Sequence, residues 1–281
     1  MNLSKLFIGR GRVASLEAGT KQAENPALNL NALDDALSKL KDMHHDINFM
    51  KGWMADWELV VLLNPSICTQ VFPFISLSKA QNRQDIFALA TSGMKRDGFF
   101  VDFGATNGFD LSNSFLSENS FGWSGILAEP AKCWHTDLIR NRSCAIDTRC
   151  VWNVSGAKIS FTETEVAELS TLSTYLTVDG NNRTLGKNDV YDVETVTLND
   201  LLAQHSAPAK IDLLSLDTEG TELDILNSFD FEKYSIHMIV CEHNFTNARE
   251  EIHRLLTAKG FKRQHEQLSK WDDWYVNQST H

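Results

Sequence analysis

From residue 99 onward, short apolar runs alternate with amphipathic stretches, and four of the runs stop at an acid. They are FFVD (99–102), GILAE (125–129), IDLLSLD (211–217) and HMIVCE (237–242). A short run of apolar residues with little polar alternation reads as a strand buried on both faces. The stretches ELDILNSF (222–229) and AREEIHRLLTAKG (248–260) carry apolar residues at helical spacing. Buried strands alternating with helices predict an α/β, doubly wound domain with a mostly parallel sheet. Ligands of such sheets lie beyond the carboxyl ends of the strands, which is where the acids and glycines of this chain fall.

The remaining segments fill in the plan. SCAIDTRCVW (143–152) reads as a third strand, KISFTE (158–163) as a side strand and WYV (274–276) as a final, antiparallel edge strand. QDIFALATSGMKRDG (84–98) reads as a helix ending near Gly98. The polar segment 170–192 breaks the rhythm and is expected to be a long loop, a candidate lid over the site. Ahead of the domain, residues 1–28 lack periodicity and read as a loose arm. Asn31 can cap a helix whose stripe runs Leu33, Leu37, Leu40, Met43, Ile47, Met50 and Met54. That stripe serves either packing on the main domain or a homodimer. Pro65 and Pro73 mark a connection. The organisation expected is an N-terminal arm and helical extension over 1–77, then one domain over 78–281.

Composition removes several classes. Lys and Arg number 26 against 37 Asp and Glu, a net charge of −11 over 281 residues, which disfavours a phosphate-tracking surface for nucleic acid. The cysteines number five, an odd count without a C-x-x-C pair, so neither a disulfide framework nor a zinc knuckle is expected. No apolar run approaches the ~20 residues of a membrane span. The opening MNLSKLFIGRGR has only Leu6–Ile8 as an apolar run, too short for a secretory core, and the expected location is the cytoplasm.

The most informative local pattern is VDFGATNG (101–108). A strand ends in Asp102, and Gly104 and Gly108 flank a tight turn before a helix. Glycines let backbone approach a ligand closely. The second glycine arrives four residues after the first, so this is not the G-x-G-x-x-G dinucleotide fingerprint. A ligand without phosphates, such as S-adenosylmethionine, fits better, with Asp102 accepting from its ammonium. Glu129 follows Gly108 by 21 residues, the place where a strand-end acid takes ribose hydroxyls. The adenine end is expected after the third strand, at Asp147 or the segment 149–151.

These residues carry a resemblance to the FkbM family of S-adenosylmethionine-dependent methyltransferases. The matching segments run from SKAQNRQDIFAL (78–89) and GFFVDFGATNG (98–108) through GWSGILAEP (122–130) and LSLDTEGTELDIL (214–226) to IVCEHN (239–244). The resemblance implies a Rossmann-like methyltransferase fold, O-methylation of sugar, polyol or polyketide hydroxyls, and cofactor contacts at Asp102, Gly104, Asn107, Gly108 and Glu129. Residues 1–77 lie outside it.

Methyl transfer to oxygen needs an aligned hydroxyl and a group to take its proton. Candidates stand at two strand ends. LSLDTEGTE gives Asp217, Glu219 and Glu222, and VCEHN gives Glu242, His243 and Asn244. His243 is the expected general base, because its ordinary pKa lies near neutrality, with Asp217 or Glu219 holding the hydroxyl or orienting His243. Asp217, Glu242 and Asn244 also form an oxygen donor set suited to magnesium. Trp271 and Trp274 are candidates for a sugar platform and otherwise for packing; Trp123 is expected to pack. Two competing readings remain at this point: a nucleotide-sugar oxidoreductase using NAD, and a non-catalytic adenosyl-binding module.

Overall fold

The computed structural model describes residues 56–177 and 186–279, together with Ser38, Lys39, Lys41, Met43 and Met54. The chain divides into two compact units, residues 1–50 and 51–281. The arm over 1–28 lies outside the described residues, as do most positions of the apolar stripe over 31–54. Ser38, Lys39, Lys41 and Met43 of the first unit are helical and exposed.

In the second unit the described residues form two sheets. The larger holds β1 (Phe99–Phe103), β2 (Ser124–Ala128), β3 (Ala145–Asp147), β8 (Lys210–Leu216), β9 (Ser235–Glu242), β10 (Phe261–Gln264) and β11 (Asp272–Asn277) in the order β10-β11-β9-β8-β1-β2-β3. Pairs from β3 to β9 are parallel, and β11 runs antiparallel to both neighbours. Chain order therefore runs outward from β1 to β3, then restarts at β8 on the other side of β1. The two directions part between β1 and β8.

Successive strand residues feed opposite faces. Val101, Phe103, Leu214, Leu216, Ile239 and Cys241 enter one core. Phe100, Leu127, Leu213, Met238, Val240 and Trp274 enter the other. Helices Leu198–Gln204, Glu222–Ser228 and Ala248–Ala258 supply partners to the first core. Helix Gln84–Thr91, with Leu59, Val71 and Ile75, supplies the second.

Several expectations are corrected. SCAIDTRCVW is not one strand: Ala145–Asp147 ends the main sheet, and the chain turns so that β4 (Cys150–Val151) joins the smaller one. The smaller sheet, in the order β4-β7-β5-β6, adds β5 (Lys158–Glu163), β6 (Thr171–Leu172) and β7 (Asp189–Val196). Both ends of the supposed loop 170–192 are thus strands. The alternation in DVYDVETV (189–196), with Val193, Thr195 and Val196 buried, pairs it with β5 over six residues. WYV is antiparallel but not at the edge, since β10 covers it. The proline-bearing stretch 64–73 is helical: Pro65 occupies the first helical position of Pro65–Val71, where a missing N–H is tolerated, and Asn64 caps it. The helix begun at Gln84 ends at Thr91, stopped by Gly93 and Met94 with positive φ.

Candidate functional site

A cavity of about 480 Å³ opens where chain order reverses, beyond the carboxyl ends of β1, β2, β8 and β9. Its size suits a small-molecule ligand, and its position is the switch point of a doubly wound sheet.

The glycine corner forms one wall. Gly104 has φ +69, and a Cβ there would stand 1.9 Å from the Asp217 carbonyl oxygen. Only glycine lets the chain after β1 pass that close to the end of β8. The Gly104 N–H donates to the Ala128 carbonyl, joining the corner to β2. Next, Thr106 takes a positive φ of 47, and its N–H donates to Glu129 Oε2 at 2.8 Å. Glu129 Oε1 accepts from the Ala131 N–H at 2.8 Å. A carboxylate has about four acceptor directions, so Glu129 retains capacity on its cavity side. Burial pushes its pKa up to about 7 against these two donors.

Asp102 lies beneath the corner and lines the cavity. Ser114 donates to its Oδ2 at 2.6 Å. Arg142, at the end of helix His135–Asn141, donates in turn to Ser114, Ser112 and the Gly108 carbonyl. Its guanidinium is fully buried and paired with Glu118. Burial raises the Asp102 pKa, and the Ser114 hydrogen bond and the Arg142 charge oppose the rise. Sequence reading gave Arg142 no role, because nothing in NRS (141–143) points to a buried partner; the signal available was a lone cation preceding a strand.

Asn107, Gly108 and Asp147 do not line the cavity. Asn107 Oδ1 accepts from the N–H groups of Phe109 and Asp110, shaping the turn from behind. Gly108 has φ +75, and a Cβ there would press on Arg142 and Leu138 at 2.6 Å. Asp147 is bound to Arg149 and His205, partners that hold its pKa down at about 2 against the effect of burial. Cys150 and Val151 face the cavity there instead.

Beyond the ends of β8 and β9, one carboxylate oxygen from each of Asp217, Glu219 and Glu242 lies within 4.8 Å of the others. Asp272, from β11, also lines the cavity. Burial, then the charges of Glu219, Asp272 and Glu222, raise the Asp217 pKa well above the carboxylate range. Burial and the charge of Asp217 do the same to Glu242. Asp272, which accepts from Gln84 Nε2 at 2.6 Å, is pushed up to about 7 by burial. Asn244 meets the group through Glu219, donating from Nδ2 to Oε2 at 3.2 Å. Glu222 stands behind, accepting from the Thr218 and Gly220 N–H groups.

His243 is close to these acids but does not line the cavity. Its Nδ1 accepts from the Phe245 N–H at 3.0 Å, and its Nε2 lies 3.1 Å from the Asp272 carbonyl oxygen. Those two contacts assign a neutral ring protonated at Nε2. Burial lowers its pKa, consistent with that state. Of the two candidate tryptophans, Trp271 lines the cavity. Trp274 is fully buried and stacks on Phe87 at 4.9 Å, so it packs. Trp123 is also buried, donating to the Lys95 carbonyl.

The small sheet closes the remaining side. Phe161, the stretch from Ala167 to Ser170, and Leu172 line the cavity. Thr171 donates to the Glu219 carbonyl at 3.0 Å, and Tyr175 bonds Asp224, fixing this wall to the turn and helix that follow β8.

A parallel sheet whose switch point carries an acid-flanked glycine corner, without a pyrophosphate fingerprint, has the form of a Rossmann-like methyltransferase. The family model described as Methyltransferase FkbM domain matches residues 102–263. The chain belongs to the FkbM methyltransferase family. No curated protein matches it. Among the described residues, no helix is long and apolar enough to cross a membrane.

Proposed function

We propose that the protein is an S-adenosylmethionine-dependent O-methyltransferase acting on a hydroxyl of a sugar, glycan or related polyol. The observation that carries this reading is that the glycine corner, bounded by Asp102 and Glu129, opens into the same cavity as Asp217, Glu219 and Glu242. S-adenosylmethionine, when bound, supplies a methyl group activated by its sulfonium. Glu129 accepts from ribose hydroxyls with the acceptor capacity that Thr106 and Ala131 leave. Asp102 accepts from the ammonium, directly or through water. Gly104 lets backbone lie against the ligand, and Cys150 and Val151 flank the adenine.

On the acceptor side, a carboxylate of the Asp217, Glu219 and Glu242 group takes the hydroxyl proton as the oxygen is methylated. Burial, then the neighbouring charges, raises the proton affinity of Asp217 and Glu242, which suits a base for a weakly acidic hydroxyl. His243, with both nitrogens engaged, orients this loop rather than taking the proton. The same three carboxylates are hard oxygen donors, and would hold a divalent cation such as magnesium, whose charge polarises a hydroxyl. The wall at 167–172 selects the acceptor. Residues 1–50 form a unit of their own, whereas Leu59, Val71 and Ile75 pack in a core of the catalytic domain. The exposed apolar residues Met54, Trp57 and Val61 support a homodimer contact on the N-terminal extension.

Calorimetric titration with S-adenosylhomocysteine and with NAD tests the cofactor half: tight binding of the first alone is expected, and binding of NAD alone overturns it. Transfer of tritiated methyl to a panel of glycans and polyols, compared with amine acceptors, tests the acceptor half. Label found on nitrogen and not on oxygen would overturn O-methylation.

A further inference from the structure

The segment after β9 does something unusual for a folded chain. Asn244 and Phe245 both take positive φ, 42 and 56, in succession. Neither is glycine, and the conformation they share is one that L side chains avoid. Phe245 is then left 71% exposed while lining the cavity. An apolar ring is thus left in water on a residue held in the left-handed region. His243 maintains both: its Nδ1 accepts the Phe245 N–H at 3.0 Å, and its ring meets the Phe245 ring edge-on, centroids 5.1 Å apart. Asn244 ties the same turn to Glu219 of the acid group. Leu111, which also lines the cavity, repeats the pattern, with φ 60 and 44% exposure. Trp271 lines the wall beside them.

We infer that Phe245, held in place by His243, is the acceptor's stacking residue, its exposed ring covering the C–H face of a cyclic polyol whose hydroxyl edge meets Asp217, Glu219 and Glu242. The inference rests on the acceptor reading given above. A pyranose ring suits such a site because it presents axial C–H groups on one face and hydroxyls around its edge. His243 is a positioning residue, which explains why a histidine beside the acids spends both nitrogens on backbone.

The test uses the full chain with saturating S-adenosylhomocysteine, and methyl glucoside, methyl mannoside and methyl rhamnoside as ring probes. Glycerol is the open-chain control. Saturation-transfer NMR reads whether aromatic protons pass magnetisation to ring C–H protons. Expected is transfer to at least one ring probe and little to glycerol. Phe245→Ala weakens that probe about tenfold or more, the scale of one aromatic side chain's burial. Phe245→Tyr keeps it. His243→Asn, which retains an acceptor near the Nδ1 position but loses the ring, falls between. S-adenosylhomocysteine affinity stays within twofold in all three, which a merely destabilised fold would not allow. Unchanged probe binding in Phe245→Ala overturns the inference. Wild-type protein that binds S-adenosylhomocysteine but no ring probe overturns it together with the sugar-acceptor reading. Ring probes that bind through Phe245 without any S-adenosylhomocysteine binding support the inference and sink the cofactor reading instead.

Discussion

Glu129 Oε2 accepts the backbone N–H of Thr106 at 2.8 Å, so the acid that ends β2 holds closed the turn that follows β1. Thr106 sits at positive φ, and this bond, with the Ala131 N–H on the other oxygen, offsets the strain. Two separate sequence signals, a glycine turn and a strand-end acid, are therefore one device.

Replacing Glu129 with Gln puts an NH₂ where one oxygen met an N–H, so Thr106 or Ala131 loses its acceptor. An unsatisfied buried donor costs about 1–3 kcal/mol. S-adenosylhomocysteine affinity is expected to fall roughly 10- to 100-fold, read by calorimetry. Unchanged affinity would separate Glu129 from the ligand.

A pair of glycine variants isolates the close approach of β1 and β8. Gly93 and Gly104 have similar φ, +65 and +69, but a Cβ at Gly93 meets nothing within 4 Å, whereas at Gly104 it strikes the Asp217 carbonyl at 1.9 Å. Gly93→Ala is expected to cost about 1–2 kcal/mol for the left-handed backbone alone. Gly104→Ala carries that cost plus displacement of the β8 end, so its Tm falls further and S-adenosylhomocysteine binding is lost. Equal Tm losses in the two variants would mean the corner yields without consequence.

How much of this was legible in the sequence follows from which forces are local. Strand-end acids and glycines declare themselves, because burial of apolar runs and positive φ act within a few residues. Asp102, Glu129, Asp217 and Glu242 all line one cavity. Partnerships across long separations do not declare themselves. Arg142 finds Ser114 and Glu118, Asp272 finds Gln84 188 residues away, and neither pair has a local pattern. β7 was hidden for another reason: half its residues face solvent, so its composition matches a loop until β5 supplies the hydrogen bonds. His243 misled because chain proximity to the acids says nothing about which way a ring turns.

The raised acids set the pH dependence of stability. Asp272 and Glu129 titrate at about 7 in the folded chain and near 4 when unfolded. Their contribution is whole below pH ~4 and is lost as pH rises through 7. Asp147, held down at about 2, acts oppositely and loses its contribution as pH falls below ~4. Tm of the ligand-free protein is thus expected to peak in mildly acidic buffer and to fall by several degrees between pH 5 and 8, at about 2–4 °C per kcal/mol. Asp272→Asn, which can still accept from Gln84, is expected to flatten that slope. A Tm that climbs from pH 5 to 8 would reverse the sign assigned to these groups.

Under the proposed function the chemistry falls to Asp217, Glu219 and Glu242, and Asp217 is where to separate their roles. It lines the cavity and keeps partial exposure, while Glu219 and Glu242 are buried. Asp217→Asn removes a proton acceptor without changing shape, and kcat is expected to drop about 10²- to 10⁴-fold. S-adenosylhomocysteine affinity is expected to stay within about twofold of wild type, because the proposed cofactor contacts are Asp102 and Glu129. In wild type, log kcat rises with pH until the base is ionised, and its raised proton affinity places that rise above the ordinary carboxylate range. Chelation with EDTA then divides the two uses of the cluster. Unchanged kcat after chelation means the carboxylates act on the hydroxyl themselves. A fall restored by magnesium means they act as ligands, and the pH rise shifts to lower values when the cation is present, because a positive charge among the three oxygens favours their ionised forms.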